Sequence, residues 1–124
     1  MRNQIARILE PTVESPGAVR EELRAYLEEH GLEALVPTAT LLVSELVANA
    51  VFHAAGDIEV SVSFDGHCLR VEVRDHNPAL PETRSPDDDD GGHGLHIVEG
   101  FATSWGSRVI PDGGKVTWFE LDAG

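Results

Sequence analysis

The sequence from Pro37 to Ala54 reads PTATLLVSELVANAVFHA, and Glu45 is the only formally charged residue within it. At about 100° per residue, its apolar side chains fall on one broad arc, which predicts a helix over this range with the arc packed on a core. Three polar side chains recur at every fourth position on the opposite side of this helix: Glu45, Asn49 and His53.

Apolar residues flank this polar stripe: Leu41, Leu42 and Phe52. An ordinary surface helix carries Lys, Glu and Arg on the side that faces away from the core. The composition of this helix therefore predicts that the stripe faces a pocket. The alternative is a polar stripe at a partly covered edge of the helix.

The segments on either side of this helix predict the element order β-α-α-β-β-loop-α-β-β. Apolar and polar residues alternate over 58–64 and 69–75 around an Asp65-Gly66 turn, which predicts a hairpin with one buried face. The other predicted elements are a strand over 4–9, a helix capped by Ser15 and ended by Gly31, a short helix near Gly94, and strands over about 103–110 and 115–121. We expect a single domain over 1–124, an α+β two-layer sandwich whose mixed, mainly antiparallel sheet is covered on one face by about three helices.

Composition excludes several classes of function. The chain has 124 residues, with 9 Lys and Arg against 22 Asp and Glu and a net charge of −13. Nucleic acids and anionic membranes both attract basic surfaces, so neither is an expected partner. A single cysteine, Cys68, and the absence of an apolar run of about 20 residues favour a cytoplasmic protein.

Asp75 shares the odd parity of the apolar residues in the second hairpin strand, so it is expected to point to the buried side. A buried carboxylate is costly unless it is paired or hydrogen-bonded. Two alternatives follow. Asp75 either caps the turn His76-Asn77-Pro78, or it accepts a hydrogen bond from the amino group of a ligand.

The stretch Gly91-Gly92-His93-Gly94-Leu95 directly precedes an apolar helix pattern. Free backbone N–H groups and the positive end of a helix dipole favour phosphate at such a place, although a flexible loop end has the same composition. The last strand places Thr117 on the parity of its apolar residues, where its hydroxyl either bonds a neighbour or supports Asp75 or a ligand.

The order of these features resembles one family. Residues 45–54 are similar to the N box of the gyrase, heat-shock chaperone, histidine kinase and MutL ATPase superfamily. Residues 71–75 resemble the strand into its first glycine box, residues 92–98 its second glycine box, and residues 114–117 its threonine box. Spacing and shortness are most similar to bacterial anti-sigma-factor serine kinases, and the resemblance covers about residues 5–121.

This resemblance implies the Bergerat ATP-binding fold, with ATP and Mg²⁺ as cofactors. Asn49 would hold Mg²⁺ through its side-chain oxygen, and Glu45 would act as the general base. Asp75 would accept a hydrogen bond from the adenine amino group, assisted by Thr117. The resemblance also implies an ATP lid over 78–91 and further nucleotide contacts: His53, Asn77, Gly92, His93, Gly94 and Leu95.

Two features depart from the family pattern. Asn77 and Pro78 follow Asp75 where a glycine is usual, and asparagine also tolerates a left-handed backbone. Four aspartates, 87–90, lie beside the phosphate site in sequence, where they either swing into solvent, recruit divalent cations or weaken nucleotide binding. The nearest counter-charges in sequence are Arg84, Arg108 and Lys115.

Three functions remain open at this level. The resemblance implies an ATP-dependent kinase that phosphorylates a serine or threonine of an anti-anti-sigma (STAS-type) partner and sequesters a sigma factor, with a possible homodimer. The departures favour a catalytically silent, nucleotide-gated binding module instead. A metal site built from histidines and the aspartate run is the third alternative: His53, His67, His93 and His96.

Overall fold

The computed structural model describes residues 3–53, 56–77, 100–111 and 113–123. Its strands are β1 (Asn3–Leu9), β2 (Ile58–Phe64), β3 (Cys68–Asp75), β4 (Ser104–Val109) and β5 (Lys115–Asp122). Its helices are α1 (Ser15–Glu29) and α2 (Val36–Phe52), the latter preceded by a 3₁₀ turn, Glu33–Leu35. The strands form one sheet in the order β1-β2-β3-β5-β4, and every neighbouring pair in the described part of the chain is antiparallel.

The predicted α+β fold is confirmed, and the strand and helix bounds agree with the predictions within about two residues. The two helices pack on each other and α2 packs on β2, β3 and β5. The predicted helix near Gly94 lies outside the described residues, except that Gly100 and Phe101 have helical backbone.

The start of α1 differs from the prediction. Its N-cap residue is Glu14, which makes no side-chain cap bond, and Ser15 is the first helical residue. The Ser15 hydroxyl donates instead to the carbonyl of Glu10 at 2.9 Å and accepts the N–H of Thr12 at 3.0 Å. The buried serine therefore fastens the preceding loop. At the other end, Gly31 takes a φ of 70°, the left-handed conformation that commonly ends a helix.

One face of the sheet forms the core with the two helices. In β3, Leu69, Val71 and Val73 are buried, whereas the residues between them are only partly buried. The same alternation in β5 buries Phe119 and Leu121 on that face. We call this the inner face and the opposite one the outer face. Residue parity in each strand thus decides which side chains reach the helices.

The expected absence of an apolar run of about 20 residues is wrong, because the segment Glu33–Phe52 is long and apolar enough to span a membrane by length and composition. In the structure its apolar residues pack into the core: Ala39, Leu42, Val43, Leu46, Val47 and Ala50. This helix is apolar because it contacts both a neighbouring helix and the sheet.

Replacing Phe119, which is fully buried, tests this layering. Phe119→Ala should lower the free energy of unfolding by about 3–5 kcal/mol through lost burial and a cavity, as measured by urea denaturation. Phe52→Ala is the matched control, because Phe52 is 63% exposed and its removal should cost about 1 kcal/mol or less. Equal losses in the two variants would contradict this assignment of the core.

Candidate functional site

The inner face ends, between β3 and β5, in a buried ion pair. Asp75 and Lys115 face each other in register, and each is only 3% exposed. The Lys115 ammonium lies 3.1 Å from Asp75 Oδ2 and 3.2 Å from Oδ1. The inward direction predicted for Asp75 is therefore observed, and a donor within the chain already compensates its charge.

Gly114 allows the two strands to meet this closely. A Cβ atom at this position would lie 2.2 Å from the carbonyl oxygen of Asp75, a distance that real Cβ atoms essentially never show. Because the contact is with backbone, no side-chain rotation can relieve it. A residue without a side chain is thus required where β5 begins.

Asn77 connects the ion pair to the end of α2. Its backbone N–H donates to Asp75 Oδ1 at 2.8 Å, and its carbonyl accepts from Lys115 Nζ at 3.2 Å. Its side-chain Nδ2 donates to the carbonyl of His53 at 3.2 Å. His53 is the C-cap residue of α2, where helices leave carbonyls without partners. The turn-capping role considered for Asp75 is therefore present, and the cap also fixes the helix end.

The polar stripe of α2 leads away from this connection. Asn49 lies one helical turn before His53, about 6 Å along the axis, and Glu45 lies two turns before it, about 12 Å. Both side chains are partly buried, and His53 is exposed. The expected apolar enclosure is not formed by the flanking residues, since Leu42 is in the core and Leu41 and Phe52 are exposed. Because Glu45 and Asn49 are only partly buried, the structure agrees with the second interpretation of the sequence, a polar stripe at a partly covered edge of the helix.

Thr117 is buried on the inner face, two residues after Lys115 in β5. Its hydroxyl lies 3.0 Å from that of Ser107 in β4. Within the described residues, its hydrogen bond is to this neighbouring strand and not to Asp75. Thr117 thus links β4 to β5 beside the ion pair.

Several predicted site residues lie outside the described residues: Gly92, His93, Gly94, Leu95 and the lid over 78–91. His96 and the aspartates 87–90 also lie there. Of the proposed histidine metal site, His53 adjoins the end of β3 and His67 precedes its beginning, so about 25 Å of strand separates them. These two histidines cannot share one ion, and the described part of the chain holds no cluster of three metal-ligating side chains.

Comparison with known proteins identifies the family. The model of the histidine kinase-like ATPase domain matches residues 9–120, nearly the whole chain. The chain belongs to this family. The superfamily suggested by the sequence motifs is therefore confirmed, and with it a nucleotide-binding domain.

A solved structure with the same fold as this histidine kinase-like ATPase domain is among those that match. It is a crystal structure of the RsbU and RsbW domains of Rv1364c from Mycobacterium tuberculosis. The TM-score is 0.74 at 22% sequence identity, over 96% of this chain and 31% of that one. The domain therefore spans about a third of the length of that structure. No curated protein matches it.

The residues of this histidine kinase-like ATPase domain fit a magnesium nucleotide. Asp75 provides a buried carboxylate, which can accept a hydrogen bond from an amino group. Glu45 and Asn49 provide oxygen atoms on a partly exposed helix side, where Mg²⁺ can keep several of its waters.

Sequence reasoning did not identify Lys115 as the partner of Asp75. The signal was present, because Lys115 shares the odd parity of Thr117, Phe119 and Leu121 in β5. That parity predicts an inward lysine, and an inward lysine requires a partner. The pairing itself depends on the β3–β5 register, which the sequence does not specify.

The outer face of the sheet carries a second, separate cluster. The Arg70 guanidinium lies 4.2 Å from the ring centre of Trp118 and pairs with Glu72 and Glu120 at 2.7 and 3.0 Å. A hydrogen bond from Ser104, followed by the contact with Arg70, lowers the pKa of Glu120. A groove of about 420 Å³ on this face includes Arg108, which therefore lies on the side of the sheet opposite Asp75.

The ion pair can be tested by a double-mutant cycle without nucleotide. Asp75→Asn or Lys115→Met alone leaves a buried charge without its partner, and each should lower the free energy of unfolding by about 3–5 kcal/mol. The double variant should be more stable than either single variant, as measured by urea denaturation. Removing the exposed pair Arg7–Glu22 is the control, and should cost far less because water screens it. Additive losses at Asp75 and Lys115 would show that the two groups do not interact.

The close approach at Gly114 gives a further prediction. Gly114→Ala should lower the free energy of unfolding by about 1–3 kcal/mol or more, because its methyl group overlaps the Asp75 carbonyl. Gly100→Ala is the matched control, since its added Cβ meets nothing within 4 Å. Thermal unfolding of both variants is the measurement, and an unchanged midpoint for Gly114→Ala would refute the register at the start of β5.

Proposed function

We propose that this domain binds ATP and Mg²⁺ and acts in the cytoplasm as a regulator of the anti-sigma-factor type. It sequesters a sigma factor, and it transfers the ATP γ-phosphate to a serine or threonine of an anti-anti-sigma partner of the STAS type. The family match and the motif spacing support this proposal. The fold likeness to a structure whose description includes an RsbW domain is consistent with it.

The observation that carries the proposal is the buried carboxylate at the end of β3. Within the described residues, Asp75 Oδ1 takes two contacts, from Asn77 and Lys115, whereas Oδ2 takes one. A carboxylate accepts about four hydrogen bonds, so Oδ2 retains a position for one more donor. The exocyclic amino group of adenine is such a donor. Asp75 therefore serves as the base-recognition residue in this proposal.

The phosphate end of the nucleotide lies toward the α2 stripe in this proposal. Asn49 binds Mg²⁺ through its side-chain oxygen, and the metal offsets part of the phosphate charge when bound. Gly92 and Gly94 let the backbone approach the phosphates, with His93 and Leu95 beside them. Residues 78–91 act as the lid.

Glu45 has the catalytic role in the kinase reaction. It accepts the proton of the partner's serine hydroxyl while that oxygen takes the γ-phosphoryl group, and ADP is the other product. Glu45 and Asn49 lie one turn apart on the same side of α2, and this spacing supports their roles as base and metal ligand. Positioning and charge stabilisation supply most of the rate in such reactions.

The second candidate is a nucleotide-gated binding module that transfers no phosphate. Two features favour it. Asn77 stands where the first glycine box usually has glycine, and the four aspartates 87–90 lie beside the proposed phosphate site in sequence. Incubation with Mg-ATP and purified candidate anti-anti-sigma proteins separates the two: labelled phosphate on the partner supports the kinase, and tight binding without transfer supports the module.

Glu45→Gln distinguishes nucleotide binding from phosphate transfer. The amide keeps the size of the side chain but cannot accept the proton, so transfer should fall by about 10²- to 10⁴-fold while calorimetry gives an unchanged ATP affinity. Glu33→Gln, an exposed glutamate just before α2, should alter neither. If Glu45→Gln transfers phosphate at the normal rate, Glu45 is not the base. If wild-type protein gives no heat with Mg-ATP, the proposed function itself is wrong.

A further inference from the structure

We propose that β1, at the edge of the sheet, is a docking site for a partner protein that adds an extended segment to it as a further strand. That segment is apolar where it lies over the groove between β1 and α1, and it carries Lys or Arg where it reaches Glu10 and Glu14. None of these residues belongs to the proposed nucleotide site, so the inference does not rest on the proposed function.

Strand β1 has an open edge. It pairs with β2 on one side and, within the described residues, with no strand on the other. Edge strands present backbone N–H and C=O groups without partners, and proteins usually guard them with lysine, proline or a bulge. Residues 4–8 contain neither lysine nor proline, and the pairing with β2 runs residue for residue without a bulge. The side chains of residues 5–8 are exposed, whereas residues 104–107 of β4, the other edge strand, are partly buried.

A groove runs beside this edge, between β1 and α1. Near the end of β1 it has a volume of about 300 Å³. Toward the start of β1 it continues as a narrower cleft, whose apolar lining residues come from both strands and from the helix: Ile5, Val19, Leu23, Val60 and Val62. Arg7 crosses the groove and donates from Nε to a carboxylate oxygen of Glu22 on α1 at 3.0 Å, so these two charges offset each other. Apolar side chains of an added strand would therefore contact an apolar surface here.

The groove is negatively charged at the end of β1. Glu10 and Glu14 line it there, and both are exposed. Within the described part of the chain, neither carboxylate has an ion-pair partner. Glu14 is also the N-cap residue of α1, yet its side chain makes no cap bond. Two carboxylates can therefore pair with cations of a partner, and this complementarity selects a basic segment.

Only an extended segment satisfies both the edge and the groove. Another extended backbone can meet the hydrogen-bonding groups of an edge strand along its length, which is how many domains bind peptides. Alternate side chains of an added strand point to the same side, so every second one lies over the groove beside α1. Because β1 has seven residues, a segment of similar length covers it.

The charge of the chain disfavours a second copy as the occupant. Two copies would each bring a net charge of −13 to the contact, and such like charges repel. The only charged residue of β1 is Arg7, which Glu22 already binds. A second copy thus offers no free cation from its own β1 to Glu10 or Glu14.

A synthetic peptide tests the inference on the whole chain. The probe is a capped seven-residue peptide of alternating valine and lysine, and the matched control has glutamate in place of lysine. In ¹⁵N NMR, the probe should protect from solvent exchange those β1 N–H groups that do not bond β2, and the control should not. An added strand bonds its neighbour through every second residue. N-methylation of one of the two alternating sets of peptide amides should therefore abolish binding.

A lysine placed in the groove should block the site. Ile5→Lys puts a positive charge on the apolar lining and opposite a basic peptide, so it should weaken binding of the labelled probe by about tenfold or more in fluorescence anisotropy. Val109→Lys is the matched control, because Val109 is an exposed aliphatic residue on the other edge strand and the change in net charge is the same. It should leave the affinity unchanged.

The two carboxylates can be tested in the same assay. Glu10→Gln with Glu14→Gln should weaken binding of the probe by about three- to tenfold, the loss of two exposed ion pairs. Glu28→Gln with Glu29→Gln removes the same charge from exposed positions at the other end of α1 and should have little effect.

Several outcomes would overturn the inference. Equal weakening by the two double variants, or full binding by both N-methylated peptides, would show attraction to an acidic protein as a whole. A wild-type dimer that Ile5→Lys converts to a monomer in sedimentation would show that a second copy covers the edge. No protection of β1 by the probe would refute the site itself. Protein that binds the probe but gives no heat with Mg-ATP would retain this inference and lose the proposed function.

Discussion

The sheet of this domain ends between β3 and β5 in two opposite charges that water barely reaches, Asp75 and Lys115. Removing each charge from water costs several kcal/mol, and the pair offsets this only if its geometry is good and its remaining hydrogen bonds are made. Asn77 makes hydrogen bonds to both charged groups: its N–H donates to the carboxylate and its carbonyl accepts from the ammonium. The closeness of the strands at Gly114 and the position of the turn after β3 depend on the same contact.

This contact also positions the helix that carries the proposed catalytic groups. The side chain of Asn77 holds the carbonyl of His53, so the end of α2 is tied to the end of β3. One side of α2 is core, and the other carries Glu45 and Asn49 at the spacing of one turn. A single apolar helix thus stabilises the fold through one side and presents polar groups through the other. The ion pair fixes its register against the sheet.

This protein has few positively charged residues, 9 Lys and Arg against 22 Asp and Glu. Lys115 is committed to Asp75, Arg70 to Glu72 and Glu120, and Arg108 lies on the outer face. The sequence suggested three counter-charges for the nucleotide phosphates, and two of them, Arg108 and Lys115, lie in the described part of the chain. Neither faces the proposed phosphate end. Under the proposed function, neutralisation therefore falls largely to Mg²⁺ and to backbone N–H groups, a division of work that such sites commonly use.

The sequence by itself determined the fold class, the order of the described elements and the inward direction of Asp75, because period-2 and period-3.6 burial patterns are local properties of the chain. It also indicated the family through the spacing of its motifs, which the family match confirms. It was wrong about Ser15, whose hydroxyl bonds the loop and not the helix start, since which loop atoms come near is not a local property. Only the tertiary structure decided that Lys115 satisfies Asp75, that Asn77 connects β3 to α2, and that Leu42 turns into the core while Leu41 and Phe52 do not. Each of these depends on strand register or helix rotation, and both are fixed by packing between segments that are far apart in the chain.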